Sequence, residues 1–186
     1  MESTRERLIA AAAELLDRGG PAAVTLRDVG RAAGVSHNAP YRHFADKDAL
    51  LAAVAARELA RQGANLDQVG ASAADVQAML QGYVRWALRY PERFRLTFGR
   101  WERENAELGS AAGGARNALR RAVAAAQARG ELPPGDPERL SALLLALAHG
   151  AADQALAGHL SATGKGAADA EDLVADLFAY LRPSVR

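Results

Sequence analysis

Between Thr25 and Lys47 the chain carries Thr25, Arg27, Ser36, His37, Asn38, Ala39, Tyr41, His43 and Lys47 within one short segment. An asparagine amide can pair bidentately with adenine in a major groove. An imidazole can donate or accept at a base edge or a phosphate, and a small apolar group such as Ala39 or Pro40 can touch a thymine methyl. Hydroxyls, an ammonium and helix N-termini suit phosphate oxygens instead. This gives the stretch 36–39 to bases and Thr25, Tyr41, His43 and Lys47 to the nucleic-acid backbone, with the Ser36 hydroxyl also able to hold phosphate. Arg27 adds a guanidinium at the start of the same segment.

A second set of residues could form a pocket for a small molecule. Tyr83, Trp86, Tyr90, Phe94, Phe98 and Trp101 are concentrated in one stretch of a chain that is only 5% aromatic. Aromatic residues at helical spacing serve equally as ordinary core, and the sequence leaves both readings open. His149 and Asp153 stand four apart and share a helix face, where they could orient a polar ligand group or hold a metal. The alternative is a hydrogen-bonded core or interface histidine beside the small Gly150.

Placing the first set requires short helices. Apolar residues recur at three- and four-residue spacing almost throughout, and strand signals are nearly absent, so the chain reads as all-α with about nine helices. Ser3-Thr4-Arg5-Glu6 is a capping box that opens a helix with Leu8, Ala12, Leu15 and Leu16 on one face, ended by Gly19-Gly20-Pro21. Thr25-Leu26-Arg27-Asp28 opens a second, stopped by Gly34-Val35. Ser36 is expected to cap a third through Tyr41 and Phe44, and Asp46 a longer fourth with Leu50, Leu51, Val54 and Leu59. A short capped helix, a tight glycine turn and a second short helix make a helix-turn-helix, which the first helix must support because neither short helix is stable alone. Pro40 is tolerable only in the first turn of its helix, which implies a short recognition helix.

The pattern loosens from Gly63 to Gly70, and the domain boundary is placed there: 1–62 as the helix-turn-helix domain, 63–186 as a larger helical body. Ser72-Ala73-Ala74-Asp75 is a further capping box. Gly109 to Gly114 is expected to precede or kink a helix, and Asp136 with Pro137, and Asp169, to start two long ones. The leucine-rich faces of these last two, Leu140, Leu144, Leu147 and Ala151 with Leu173, Leu177 and Leu181, suit packing across a twofold axis, the alternative being packing within one chain. A pair of recognition helices about 34–36 Å apart would read a palindrome in successive grooves.

Composition narrows the function classes. The chain of 186 residues has no cysteine, which excludes disulfides, thiolate metal sites and a cysteine nucleophile. A net charge of +1 gives no global nucleic-acid signal. The excess is local: Arg27, Arg31, Arg42 and Lys47 against Asp28 and Asp46, with His37 and His43 in addition. No signal peptide is expected, and the longest apolar run, Ala142 to Ala148, is too short to span a bilayer, so a cytoplasmic protein without membrane partners is expected. A small helical enzyme using His149 and Asp153 as acid and base lacks any nucleophile, phosphate loop or metal cage around them, so no enzyme, cofactor or metal is expected. A helical protein-interaction module is the other rival. Against it stand the polar and basic groups retained from Ser36 to Lys47.

Val35-Ser36 followed by Tyr41-Arg42-His43-Phe44, Lys47 and Leu50-Leu51 resembles the N-terminal signature of the TetR family of repressors in type, order and spacing. The resemblance covers the first 60 residues or so. It implies phosphate contacts from Thr25, Tyr41, His43 and Lys47, base contacts from the start of the third helix, and Phe44 as core. Pro40 departs from the general form of the motif but looks like a subset in which an Ala-Pro pair precedes the tyrosine. Trp86 to Phe98 together with Leu147-Ala148-His149-Gly150 resembles the subgroup whose C-terminal domain is marked by a tryptophan and a later His-Gly pair. By resemblance the protein is a homodimeric regulator of transcription. Its body would bind an unidentified small molecule and dimerise through its last two helices, and its heads would bind a palindromic operator in double-stranded DNA.

Overall fold

The computed structural model describes residues 2–68 and 72–181, so Gly70, part of the loosened stretch, lies outside the described residues. Among these residues there are nine α-helices and no strand: α1 Thr4–Gly19, α2 Leu26–Ala32, α3 Ala39–His43, α4 Lys47–Gln68, α5 Ala73–Arg89, α6 Pro91–Phe98, α7 Ala106–Ala128, α8 Pro137–Leu156 and α9 Ala170–Leu181. Most of the starts follow from the capping chemistry. Ser3 accepts from the Glu6 N–H and Thr25 from the Asp28 N–H. Asp46 accepts from Ala49, Asp136 from Glu138 and Asp169 from Glu171. At α5 the box is reciprocal: Ser72 Oγ accepts from the Asp75 N–H at 3.1 Å, and Asp75 accepts from the Ser72 N–H at 3.0 Å. These bonds to Ser72 hold the Asp75 carboxyl below its ordinary pKa.

One expectation about elements fails. Gly109, Gly113 and Gly114 neither precede nor kink a helix but lie inside the continuous α7. Alanines dominate the rest of that segment, and their propensity outweighs the roughly 1 kcal/mol that each interior glycine costs. The chain divides by contact into two compact units. One comprises residues 1–61 and 90–113, the other residues 62–89 and 114–186, so α6 and the start of α7 belong with the N-terminal helices.

In the first unit α1 packs against α2, α3 and α6. Leu8, Ile9, Ala12 and Leu16 of α1 meet Val24, Val29, Phe44, Leu50 and Val54 in one buried cluster, with Leu96 and Trp101 partly buried against it. An ion-pair network ties α6 into this unit. Arg93 is bidentate on Asp17 at 2.9 and 2.6 Å and reaches Glu58, only 2% exposed, at 3.2 Å. Its guanidinium lies over the Tyr90 ring, 4.5 Å from the centroid. Burial works against the charged form of Arg93, but Asp17 and Glu58 outweigh it and raise its pKa above the ordinary value. Arg57, with a neighbouring but weaker approach to Glu58 at 3.9 Å, has its pKa lowered by burial.

In the second unit α5, α8 and α9 pack on one another. Val76, Leu80 and Val84 of α5, Leu144 and Ala148 of α8, and Val174 and Phe178 of α9 are buried.

Removing one partner from a buried ion pair strands the other charge, at a cost of roughly 3 kcal/mol. Arg93→Ala is therefore expected to lower the unfolding free energy by about that amount, read from the urea midpoint; an unchanged midpoint contradicts the role assigned to the network.

Candidate nucleic-acid interface

The turn between α2 and α3 is built from backbone bonds. The Gly34 N–H donates to Arg31 O and the Val35 N–H to Gly30 O, both at 3.1 Å, closing a Schellman motif with Gly34 at φ 62°. A side chain at Gly34 would be strained in that left-handed conformation. From α1, Arg7 donates to the carbonyl oxygens of Ala33 at 2.5 Å and Gly34 at 3.3 Å, so the supporting helix holds the turn directly.

Beyond the turn, Pro40 is buried and lies against Gly30. A Cβ at Gly30 would come within 2.8 Å of Pro40 Cγ, so this approach of α3 to α2 requires glycine. The same contact removes Pro40 from the candidates for a thymine methyl. Ala39 is half-buried, whereas Ser36, His37, Asn38, Tyr41, Arg42 and His43 are exposed.

The expected cap at Ser36 is not formed, because α3 begins at Ala39 and has no side-chain cap. A helix starting at His37 would need the Pro40 nitrogen to donate to Ser36 O, and proline has no N–H. Ser36 O accepts from the Ala39 N–H at 2.9 Å instead, giving a tight turn that carries His37 and Asn38. Asn38 keeps helical dihedrals, φ −87° and ψ −11°, and so continues the face of α3 by one residue. The His37 and Tyr41 rings, one turn apart, stand 5.9 Å centroid to centroid.

The candidate phosphate ligands lie on three elements of this unit. Thr25 caps α2 and also donates its hydroxyl to Asp28 at 2.7 Å. Tyr41 is 53% exposed. Lys47, the first residue of α4, donates to Pro21 O at 2.5 Å, which holds the ammonium in place and leaves two of its three N–H groups for an anion. Arg31 is paired with Asp28 at 2.8 Å. Arg27 and Arg42 have no ion-pair partner among the described residues. Arg42 is the member of this surface that the sequence reading did not assign; its signal was position, between Tyr41 and His43 on a helix too short to hide it.

The aromatic residues expected to line a pocket belong to both units. Tyr83 and Trp86 fall in the second unit, with ring centroids 6.0 Å apart, and Tyr83 shares a 2.8 Å hydrogen bond with Nδ1 of His149. Burial raises the Tyr83 phenol pKa and lowers that of the His149 imidazole, so both are neutral at pH 7. Asp153 is exposed, one turn further along α8, and its charge partly offsets the burial of His149. Tyr90, Phe94, Phe98 and Trp101 fall in the first unit, where Phe94 and Phe98 pack at 5.6 Å. Trp101 lines a crevice of about 770 Å³ with Leu51, Ala52 and Leu96. Among the described residues no group of three or more His, Asp or Glu side chains could hold a metal, and no helix is long and apolar enough to cross a membrane.

The leucine faces of α8 and α9 divide. Leu144 is fully buried and Ala151 is 4% exposed, so both belong to the core of their own unit and not to an external face. Leu140, Leu147, Leu173, Leu177 and Leu181 are half-buried. Leu143, on the same helix, is 63% exposed and Tyr180 is 85% exposed. An α8 rich in leucine all round offers two apolar faces, and spacing alone does not say which turns inward.

A three-helix head, in which a Schellman turn leads into a short helix with an exposed polar face, defines a helix-turn-helix DNA-binding protein. A family model described as bacterial regulatory proteins of the tetR family matches residues 8–54, and one described as tetracyclin repressor-like, C-terminal domain, matches residues 76–180. The chain belongs to the TetR family of DNA-binding transcription regulators.

Among solved structures the chain is similar to a protein of unknown function from Rhodococcus sp. RHA1, with 31% identity and a TM-score of 0.79 over 97% of this chain and 94% of that one. It is also similar to SmeT, the repressor of the Stenotrophomonas maltophilia multidrug efflux pump SmeDEF, with 26% identity and a TM-score of 0.68 over 98% and 92%. The fold is shared with the transcriptional regulator FadR of Bacillus subtilis in complex with stearoyl-CoA, with 15% identity and a TM-score of 0.66 over 97% and 98%. No curated protein matches the chain.

Base and phosphate contacts respond differently to truncation. Asn38→Ala is expected to cost about 1–3 kcal/mol on the preferred site and relax preference at one base pair. Lys47→Ala should weaken all sequences alike and lower the salt slope of binding by about one. Fluorescence anisotropy over a salt series separates them; equal behaviour of the two variants contradicts the division.

Proposed function

We propose that the protein is a ligand-responsive homodimeric repressor that acts in the cytoplasm. It binds a palindromic operator near its own gene and is released by a small molecule. The observation that carries this reading is the exposed polar surface from Ser36 to His43, fixed by the Gly30–Pro40 contact and the Arg7-held turn. DNA binding is assigned to residues 1–62, and ligand binding and dimerisation to residues 63–186. A short recognition helix reads few bases, so two heads are needed for a site of useful length. Leu143 and Tyr180, apolar and exposed on α8 and α9, are groups that a second copy would cover. A ligand site around Tyr83, Trp86 and His149 is supported by the hydrogen bond between Tyr83 and His149 beside the Trp86 ring. Ligand-bound relatives of the same fold support it further: SmeT with triclosan and FadR with stearoyl-CoA. Release requires two conformations that differ in ligand affinity, because a ligand that binds both equally shifts nothing.

Titration of the upstream intergenic DNA in a gel-shift assay is expected to give sequence-preferring binding at physiological salt, and absence of preference overturns the proposal. Sedimentation equilibrium should show a dimer that Leu143→Glu dissociates, with a loss of operator affinity of about tenfold or more as the second head is lost. A dimer that survives Leu143→Glu removes α8 from the interface.

A further inference from the structure

We propose that Arg42 reads a guanine close to the base read by Asn38, so that these two side chains set the specificity of each half-site. The inference rests on the DNA-binding reading above and deepens it. Of the five residues of α3, Pro40 is buried and Ala39 half-buried, while Tyr41, Arg42 and His43 face solvent. Asn38 precedes α3 with helical dihedrals, which places it one turn before Arg42 on the same face. The parallel pair His37 and Tyr41, at the same spacing, is in ring contact and fixes the register. The exposed surface is thus two columns, one aromatic and one of an amide followed by a guanidinium.

Arg42 also differs from Arg7, Arg31 and Lys47 in what it is bound to. Arg7 holds the turn, Arg31 is paired with Asp28 and Lys47 donates to Pro21. Arg42 has no ion-pair or hydrogen-bond partner among the described residues, so no bond within the protein must break before it turns to DNA. Its planar fork matches O6 and N7 of guanine, as the Asn38 amide matches N6 and N7 of adenine. The four-residue step from Asn38 to Arg42 advances about 6 Å along the helix, and stacked base pairs are about 3.4 Å apart. The guanine therefore lies one or two base pairs from the adenine.

The test selects preferred duplexes from a random pool with the full-length protein. It then measures binding of the selected site and each of its single-pair replacements by wild type, Arg42→Ala and Arg42→Lys, with circular dichroism confirming that each variant is folded. Wild type is expected to lose about ten- to a hundredfold when one G·C pair in a half-site is replaced, one or two positions from an equally sensitive A·T pair. Arg42→Ala should abolish discrimination at the G·C pair and keep it at the A·T pair, and lysine, which lacks the fork, should not restore it. If Arg42→Ala weakens every sequence alike and Arg42→Lys restores binding, Arg42 holds phosphate and the proposal is wrong. If wild type shows no preference for any duplex, the DNA-binding reading falls and this proposal with it.

Discussion

The contact of Pro40 with Gly30 constrains everything the DNA-reading surface can be. Proline at the second position of α3 has no N–H to give Ser36, so the helix cannot start earlier. Its ring fits only where α2 presents a residue without a side chain. That one contact shortens α3, turns its apolar side inward and leaves Tyr41, Arg42 and His43 outside. Arg7 and the Schellman turn then fix the angle at which this short helix leaves α2, so a segment unable to fold alone becomes a rigid edge.

The same unit extends beyond the N-terminal helices. Arg93 draws α6 onto α1 and α4 through Asp17 and Glu58, a charged network where an apolar one would have served packing alone. Buried pairs of this kind add little net stability against a hydrophobic replacement, but they hold one geometry, since misplacing any member strands a charge. The second unit relies on apolar contact among α5, α8 and α9, and the buried Tyr83 phenol is hydrogen-bonded to the half-buried His149 within it.

Much of this was legible in the residues. Capping side chains marked the starts of α1, α2, α4, α5, α8 and α9 because each cap is a local bond between residues two or three apart, which sequence spacing records. The start of α3 was misread: Ser36 has the right side chain, but the competing effect, a missing N–H four residues later, decides the outcome. The membership of α6 in the first unit was not legible, since it depends on Arg93 meeting Asp17 and Glu58 across long stretches of chain. Leucine spacing on α8 identifies apolar faces but not their direction, so it does not separate the buried Leu144 from the exposed Leu143. The reading surface was found by residue type, yet Arg42 escaped because only the structure shows which cations are already engaged.

The central claim is that the turn from Ser36 to Asn38 and the exposed face of α3 enter the major groove. Dimethyl sulfate footprinting on the preferred duplex tests it directly, because the reagent methylates guanine N7 in the major groove and adenine N3 in the minor groove. Protection of guanine N7 in two symmetric patches centred about 34–36 Å apart, with adenine N3 left reactive there, is the predicted result. Unprotected guanine N7 throughout the bound site, or protection confined to adenine N3, would contradict it.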